Sequence, residues 1–259
     1  MTRAVGLQAA DLAEVMGKFG VAEQQVRRDH AISHILAAVS RHHRNEVIFF
    51  GGTALSRTHL SDARLSEDID LIALDDRDNL AAALIDDIST ALARTHGRIT
   101  WSPGWSRNSD IEPALAITPD GLAVRIQLLR STHYEPWPTE TREIEQRYRD
   151  SPDAALRVPT LSSFAGWKTA AWMDRAAARD LYDLWALSKV GALNADAAAL
   201  FAKHGPTSHP PRSWMFDHAP TAAEWQAQLA GQTRLTVTAS EALAAVRAAW
   251  AATLDEGWA

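Results

Sequence analysis

Two short strings in this chain of 259 residues carry side chains whose types and spacing could do chemistry together. In Ser66-Glu67-Asp68-Ile69-Asp70-Leu71, two carboxylates stand one residue apart. On a strand, side chains at i and i+2 share a face, so Asp68 and Asp70 stand side by side while Ile69, Leu71 and Ala73 face the core. Carboxylates that close repel each other and call for a cation. Hard oxygen donors in a chain without cysteine suit Mg²⁺ or Mn²⁺; Mg²⁺ takes one or two carboxylates and fills its remaining positions from water and substrate phosphates. The other string is Phe49-Phe50-Gly51-Gly52-Thr53-Ala54-Leu55. Glycine lets a backbone approach a phosphate closely, and the N–H groups that open a helix attract anions. Alone, a Gly-Gly pair is most often a tight turn and Asp-x-Asp a solvated strand edge. In this order and this close together, they describe a site for a metal and a triphosphate.

The elements that must position these groups follow from the pattern of apolar residues. A buried strand over 47–50 leads into the diglycine, Thr53 opens a short helix, and a second strand carries the carboxylates. Ahead of them, Leu12, Val15 and Phe19 form one helical stripe and Val26, Ile32, Ile35, Leu36 and Val39 another, so residues 7–43 read as two helices. After them, Asp78 is expected to cap a helix running to about His96, with Leu80, Leu84, Ile88 and Leu92 on its buried face and Gly97 as its stop. Pro119-Asp120-Gly121 is turn chemistry and predicts a hairpin, giving a mixed sheet with strands near 46–50, 69–74, 99–101, 114–118 and 122–129. The stretch 131–159 reads as a connector with one helix near 140–149. Residues 161–189 are helical, and further helices follow over 195–203, 221–231 and 240–256. Trp214, Trp225 and Trp250 read as core residues, and His204, His209 and His218 as surface residues.

Gly51-Gly52-Thr53-Ala54-Leu55 followed by Arg64-Leu65-Ser66-Glu67-Asp68-Ile69-Asp70-Leu71 resembles the first motif of the AbiEii/MenT-type nucleotidyltransferase toxins, a branch of the polymerase β-like nucleotidyltransferases. Val26-Arg27-Arg28-Asp29-His30 is similar to a further family segment in diverged form, and Trp167-Lys168-Thr169-Ala170-Ala171 with Arg179-Asp180-Leu181-Tyr182-Asp183-Leu184 is similar to another. The resemblance implies an α/β (α+β) nucleotidyltransferase lobe with a mixed sheet over residues 1–150, a mainly helical lobe over 151–259, and a site in the cleft. It implies a toxin of a toxin–antitoxin system, with a cognate antitoxin as partner. The chemistry would be transfer of a nucleotide from an NTP, with tRNA 3′ ends as the leading acceptor. The rival expectations are transfer to a protein or small molecule, and a non-catalytic NTP-binding module.

Residue by residue, the resemblance makes Asp68 and Asp70 the metal ligands, and Gly51, Gly52, Thr53 and Ser66 nucleotide-binding candidates. Lys168 would stabilise the pyrophosphate leaving group and Asp183 would serve the same site. Ser66 is also a plausible control point, where a phosphate would add charge beside the metal carboxylates. Arg179, counted among the nucleotide-binding candidates, and Arg175 fit equally as phosphate clamps or as partners of Asp180 and Asp183. A straight helix from Lys168 to Asp183 would span about 22 Å, too far for one phosphate group, so a break is expected near 174–178. One departure stands out. Relatives usually place a third carboxylate on a strand beside the Asp pair, and the candidate strand Ala123–Leu129 offers Gln127 there, which can coordinate a metal but cannot act as a base.

The totals bound the partners. A formal charge of −6 leaves no broad nucleic-acid-coating surface, so RNA contact would have to come from a local basic patch. The richest is Arg27, Arg28, His30, Arg41, His42, His43 and Arg44, which reads first as a solvated helix face and otherwise as an RNA phosphate contact. With 22 Arg, 4 Lys and no Cys, disulfides and thiol chemistry are excluded. Met1–Gly6 has no signal-type apolar core and no run approaches the roughly 18 apolar residues of a membrane span, so a cytoplasmic protein is expected.

Overall fold

In the computed structural model, which describes residues 6–106, 109–134 and 136–258, the chain divides into two compact units. One comprises Met1–Glu135 with Glu140–Val158, the other Pro136–Thr139 with Pro159–Ala259. Residues 1–5, most of the Met1–Gly6 stretch read above, lie outside the described residues.

The first unit opens with α1 (Ala9–Phe19), ended by Gly20 at φ 68°, and α2 (Glu23–His43). Val15 and Phe19 join Val21, Val26, Leu65 and Tyr148 in a buried cluster. β1 (Val47–Phe50) runs directly into α3 (Gly51–Thr58), and β2 (Asp68–Ala73) follows. The chain then passes through α4 (Arg77–Leu92) to β3 (Thr100–Trp101), β4 (Ala114–Ile117) and β5 (Ala123–Arg130). These strands form one sheet in the order β1-β2-β5-β4-β3, in which β2 and β5 are parallel and the other neighbours antiparallel. A parallel pair needs a long crossover, and α4 with the β3–β4 segment supplies it. The β4–β5 turn is built as its residues suggest: Gly121 takes φ 83° and the Thr118 hydroxyl donates to Asp120 and accepts from the Leu122 N–H. β6 (Thr139–Glu143) and β7 (Ala155–Pro159) form a separate two-stranded sheet.

Three local expectations are corrected. The α4 cap is Asp76, whose carboxylate accepts from the N–H groups of Asp78 and Asn79 at 3.0 and 3.2 Å; Asp78 lies inside the first turn. The helix after β1 starts at Gly51, so Thr53 sits within it. The helix expected at 140–149 is strand and loop. Ile144 and Tyr148 are both buried and four apart, which mimics a helical face, but the backbone between them serves other partners: Ile144 N–H donates to Ala154 and Glu145 N–H to Arg57.

Glu145 also receives the Arg57 guanidinium, the polar hub of this unit. Arg57 is fully buried; its Nη1 donates to Ser33 Oγ and the Glu145 carbonyl at 2.8 and 2.7 Å, and its Nη2 lies 2.8 Å from the Asp29 carboxylate. Arg147 and the Tyr148 hydroxyl reach the same carboxylate at 3.4 and 2.8 Å. Burial pushes the Asp29 carboxyl up, but Arg57, Arg147 and the Tyr148 hydroxyl outweigh it and hold it below the usual range. α2 is therefore only partly the solvated face expected of its charges. Arg27, Arg41, His42 and Arg44 are exposed, whereas His30 and His43 are buried.

The second unit is helical: α5 (Leu161–Arg175), α6 (Ala178–Lys189), α7 (Ala195–His204), α8 (Ala222–Leu229) and α9 (Ala239–Leu254). α5 packs on α6 and α7, and α6 on α8 and α9. Thr221 with Glu224 and Thr238 with Glu241 form capping boxes that start α8 and α9. Trp225 and Trp250 are core as expected, but Trp214 is 57% exposed. His209 and His218 lie on the surface, while His204 is half-buried with its ring 5.3 Å from that of Trp137. Among the described residues no helix is long and apolar enough to cross a membrane.

Removing the Asp29 carboxylate strands two buried guanidiniums, a change that typically costs about 3–5 kcal/mol. Asp29→Ala is expected to lower the urea unfolding free energy by that amount; a loss under about 1 kcal/mol would show that the hub does not hold the unit together.

Candidate active site

The carboxylates and the glycines meet where β1 ends. β1 and β2 are antiparallel, and their register sets Phe50 opposite Asp70. The chain leaves Phe50 in an extended conformation and enters α3 through Gly51 at φ 80°, a left-handed conformation that side chains rarely adopt. A Cβ on Gly51 would lie 2.1 Å from Asp70 Oδ2, and one on Gly52 would lie 2.8 Å from Arg64 Nη2 and 3.2 Å from Ser66 Oγ. A side chain at either position would force the facing Asp70 or Arg64 to shift, because the backbone lies close against Asp70, Arg64 and Ser66. Thr53 is buried, and its hydroxyl donates to the Asp68 carbonyl, tying the first turn of α3 to the start of β2. The first N–H groups of a helix have no intrahelical acceptor, which suits such a terminus to an anion.

Asp68 and Asp70 are half-buried, and the residues alternating with them, Ile69, Leu71 and Ala73, are fully buried, as the pattern predicts. In the parallel register with β5, Asp68 stands beside Arg125 and Asp70 beside Gln127. Gln127 therefore occupies the neighbouring position where a third carboxylate was sought. Its Nε2 donates to the Ile111 carbonyl at 3.1 Å, which leaves Oε1 as the acceptor of that amide. Arg28 of α2 reaches the same rim, with Nε donating to the Ala123 carbonyl at 3.2 Å and Nη1 3.5 Å from Glu67.

In the second unit, the other constellation is assembled by the break between α5 and α6. Thr160 caps α5, and Ala176 at φ 46° ends it within the expected interval, so α6 folds back. Lys168 Nζ then lies 3.1 Å from Asp180 and 2.7 Å from Asp183, with all three side chains buried. Arg175 forks onto Asp180, Nε to Oδ2 at 2.7 Å and Nη2 to Oδ1 at 3.0 Å. The alternative left open for Arg175 is resolved in favour of an Asp180 partner. Arg179, half-buried, lies in the first turn of α6. Burial pushes the Asp180 carboxyl up, yet Lys168 and Arg175 prevail and hold it at about 2.

The sequence profile described as nucleotidyl transferase AbiEii toxin, type IV toxin–antitoxin system, matches residues 34–256. The chain belongs to the AbiEii nucleotidyltransferase toxin family. Both constellations lie within the matched residues. Its fold is similar to that of MenT4, a nucleotidyltransferase toxin from Mycobacterium tuberculosis, with TM-score 0.68 and 22% identity over 95% of this chain and 89% of that one. A putative nucleotidyltransferase from H. pylori aligns at TM-score 0.47 and 19% identity, over 71% of this chain and 78% of the other. A search of curated protein sequences found no match. AbiEii membership makes the protein a toxin with nucleotidyltransferase activity and implies a cognate antitoxin.

Two residues, Tyr134 within reach of the Asp70 charge and Asp110 within reach of Tyr134, were not singled out in the sequence. Tyr134 follows β5, its ring 6.2 Å from that of Phe50. Burial, then the charges of Asp110 and Asp70, raise its pKa, so its hydroxyl stays protonated. Asp110 accepts from the Arg130 N–H at 3.0 Å. A tyrosine after a strand and an aspartate in a loop carry no motif; only the fold brings the tyrosine to Phe50 and within reach of the Asp70 and Asp110 charges.

The Lys168 cluster gives a pH prediction. A carboxyl that falls from about 3.8 when unfolded to about 2 when folded adds stability above pH 4 that is lost as pH drops from 4 towards 2. The slope of unfolding free energy against pH over that interval is expected to shrink in Asp180→Asn, measured by urea titration; an unchanged slope would contradict the assignment.

Proposed function

We propose that this protein transfers a nucleoside monophosphate from a nucleoside triphosphate to the 3′ end of tRNA in the cytoplasm, blocking translation, with Mg²⁺ or Mn²⁺ as the metal. The observation that carries the reaction is the seating of the Asp70 carboxylate on Gly51, which puts a cation-seeking pair and a phosphate-seeking turn at one point. The donor set fits a hard divalent cation: two half-buried carboxylates on one strand face, with a neutral amide oxygen in the adjoining register position. Held there, such a cation would supply positive charge that offsets the charge developing at the α-phosphate.

The chain's own groups then divide the work. Asp68 and Asp70 would hold the metal, and the N–H groups of Gly51, Gly52 and Thr53 would receive phosphate oxygens, with the Ser66 hydroxyl beside them. The acceptor hydroxyl oxygen attacks the α-phosphorus, the bond to the bridging oxygen breaks, and pyrophosphate leaves. Gln127 cannot take the hydroxyl proton, so that proton passes to Asp68, to Asp70 or directly to water. On the family resemblance Lys168 would stabilise the pyrophosphate leaving group, Asp183 would serve the same site and Arg179 is a nucleotide-binding candidate; the pairing of Lys168 with both Asp180 and Asp183 supports a lysine held in one place. The tRNA acceptor also rests on that resemblance, with Arg27, Arg28 and the exposed arginines of α2 as the physical support.

The test is label transfer from each α-labelled NTP, with Mg²⁺, into total tRNA and into total protein. Label at the tRNA 3′ end that falls at least about a thousandfold in Asp68→Ala, a loss of several kcal/mol of charge stabilisation, is expected. Label on protein alone would replace the acceptor, and NTP binding without any transfer would mean that Gln127 marks a site that holds nucleotide without turning it over.

A further inference from the structure

A second group of potential metal ligands lies in the first unit, built from residues that the transferase chemistry does not use. His30 and His34 are four apart on α2, so they project from one face of the helix. Their Nε2 atoms are 3.3 Å from each other. Asp150 closes the triangle, Oδ1 at 3.0 Å from His30 Nε2 and Oδ2 at 3.2 Å from His34 Nε2. All three side chains are buried, at 2%, 7% and 3% exposure.

Hydrogen bonding alone does not account for this triangle. If both Nε2 atoms carry protons, each donates to Asp150, but two N–H groups then face one another at 3.3 Å. If either nitrogen is bare, its lone pair faces the carboxylate. With Asp150 ionised, no placement of protons makes all three contacts hydrogen bonds, whereas a cation at the centre satisfies three lone pairs at once. The spacing also fits: ligands bonded at about 2.0–2.1 Å to a tetrahedral metal stand about 3.3 Å apart.

The surroundings orient the rings as ligands need. His30 Nδ1 is 3.1 Å from His96 Nε2, and His96 Nδ1 is 2.8 Å from the Thr95 hydroxyl, so a chain of partners fixes the His30 ring with Nε2 towards Asp150. Asp150 Oδ2 accepts the Gly6 N–H at 3.0 Å. A cavity of about 270 Å³ between Arg27 and Asp120 reaches His30 and His96.

We propose that His30, His34 and Asp150 form a structural site for a divalent transition metal of the zinc class. Two imidazole nitrogens and one carboxylate oxygen are borderline donors that suit Zn²⁺ and do not suit Mg²⁺. The fourth position is left to the second Asp150 oxygen or to water. Such an ion joins α2, the segment carrying Tyr148 and Asp150, and the chain at Gly6, without touching Asp68 or Asp70.

The test uses untagged full-length protein purified with Zn²⁺ and dialysed, its metal content measured by mass spectrometry and its unfolding followed with Zn²⁺ or chelator added. About one zinc per chain is expected, with a melting temperature lowered by chelator and restored by Zn²⁺. Asp150→Asn and His34→Phe, which keep shape and ring volume, are expected to lose the zinc and that response. Co²⁺ titration of the wild-type protein gives a readout that survives if either variant fails to fold: an intense visible absorption band of a tetrahedral site is expected. Sub-stoichiometric zinc with no melting shift, variants that retain zinc as the wild type does, or a weak octahedral Co²⁺ spectrum would each overturn the site.

Discussion

The first unit depends on one close approach: a carboxylate of β2 laid against a backbone with no side chain. Antiparallel pairing puts Phe50 opposite Asp70, and the turn into α3 then brings Gly51 where Asp70 Oδ2 fills the place of a Cβ. Everything nearby serves that approach. The Gly51 conformation turns the chain, the Thr53 hydroxyl ties α3 to the Asp68 carbonyl, and the apolar alternation of β2 keeps both carboxylates on the open face. The alternative, a strand edge with two solvated aspartates, would place no constraint on the residue at 51.

Both units hold buried charge in networks rather than in isolated pairs. Asp29 collects Arg57, Arg147 and Tyr148; Asp180 collects Lys168 and Arg175. Paired charges of this kind add little net stability, because desolvation offsets attraction, but losing one partner is costly. Their value is positional. The Lys168 ammonium, shared between Asp180 and Asp183, cannot swing as a surface lysine does, and Arg57 ties α3, which begins at the glycine turn, to α2 and to the backbone at Glu145.

What could be read in advance was whatever is local or periodic. The five strands of the main sheet, the Asp68 and Asp70 face and the last three helices follow from apolar spacing and turn residues, and the helix break before Ala178 from the length of a straight helix set against the roles that the family resemblance implies for Lys168 and Asp183. What escaped depended on distant partners. The 140–149 segment has helical spacing, but its backbone is taken by Arg57 and Ala154. The charges of α2 look solvated until Asp29, His30 and His34 meet residues near 150, more than 110 positions away. Tyr134 and Asp110 carry no motif, and the bond from the Thr53 hydroxyl to the Asp68 carbonyl joins residues fifteen positions apart.

The most direct test of the account is Gly51→Ala, with pyrophosphate release from NTP in the presence of total tRNA measured beside thermal unfolding. A methyl at φ 80° costs about 1–2 kcal/mol, so the variant is expected to fold with a melting temperature a few degrees lower. Displacing Asp70 by about 1 Å is expected to reduce release at least about a hundredfold. A folded variant that releases pyrophosphate at the wild-type rate would contradict the claim that the carboxylate and the glycine turn form one site.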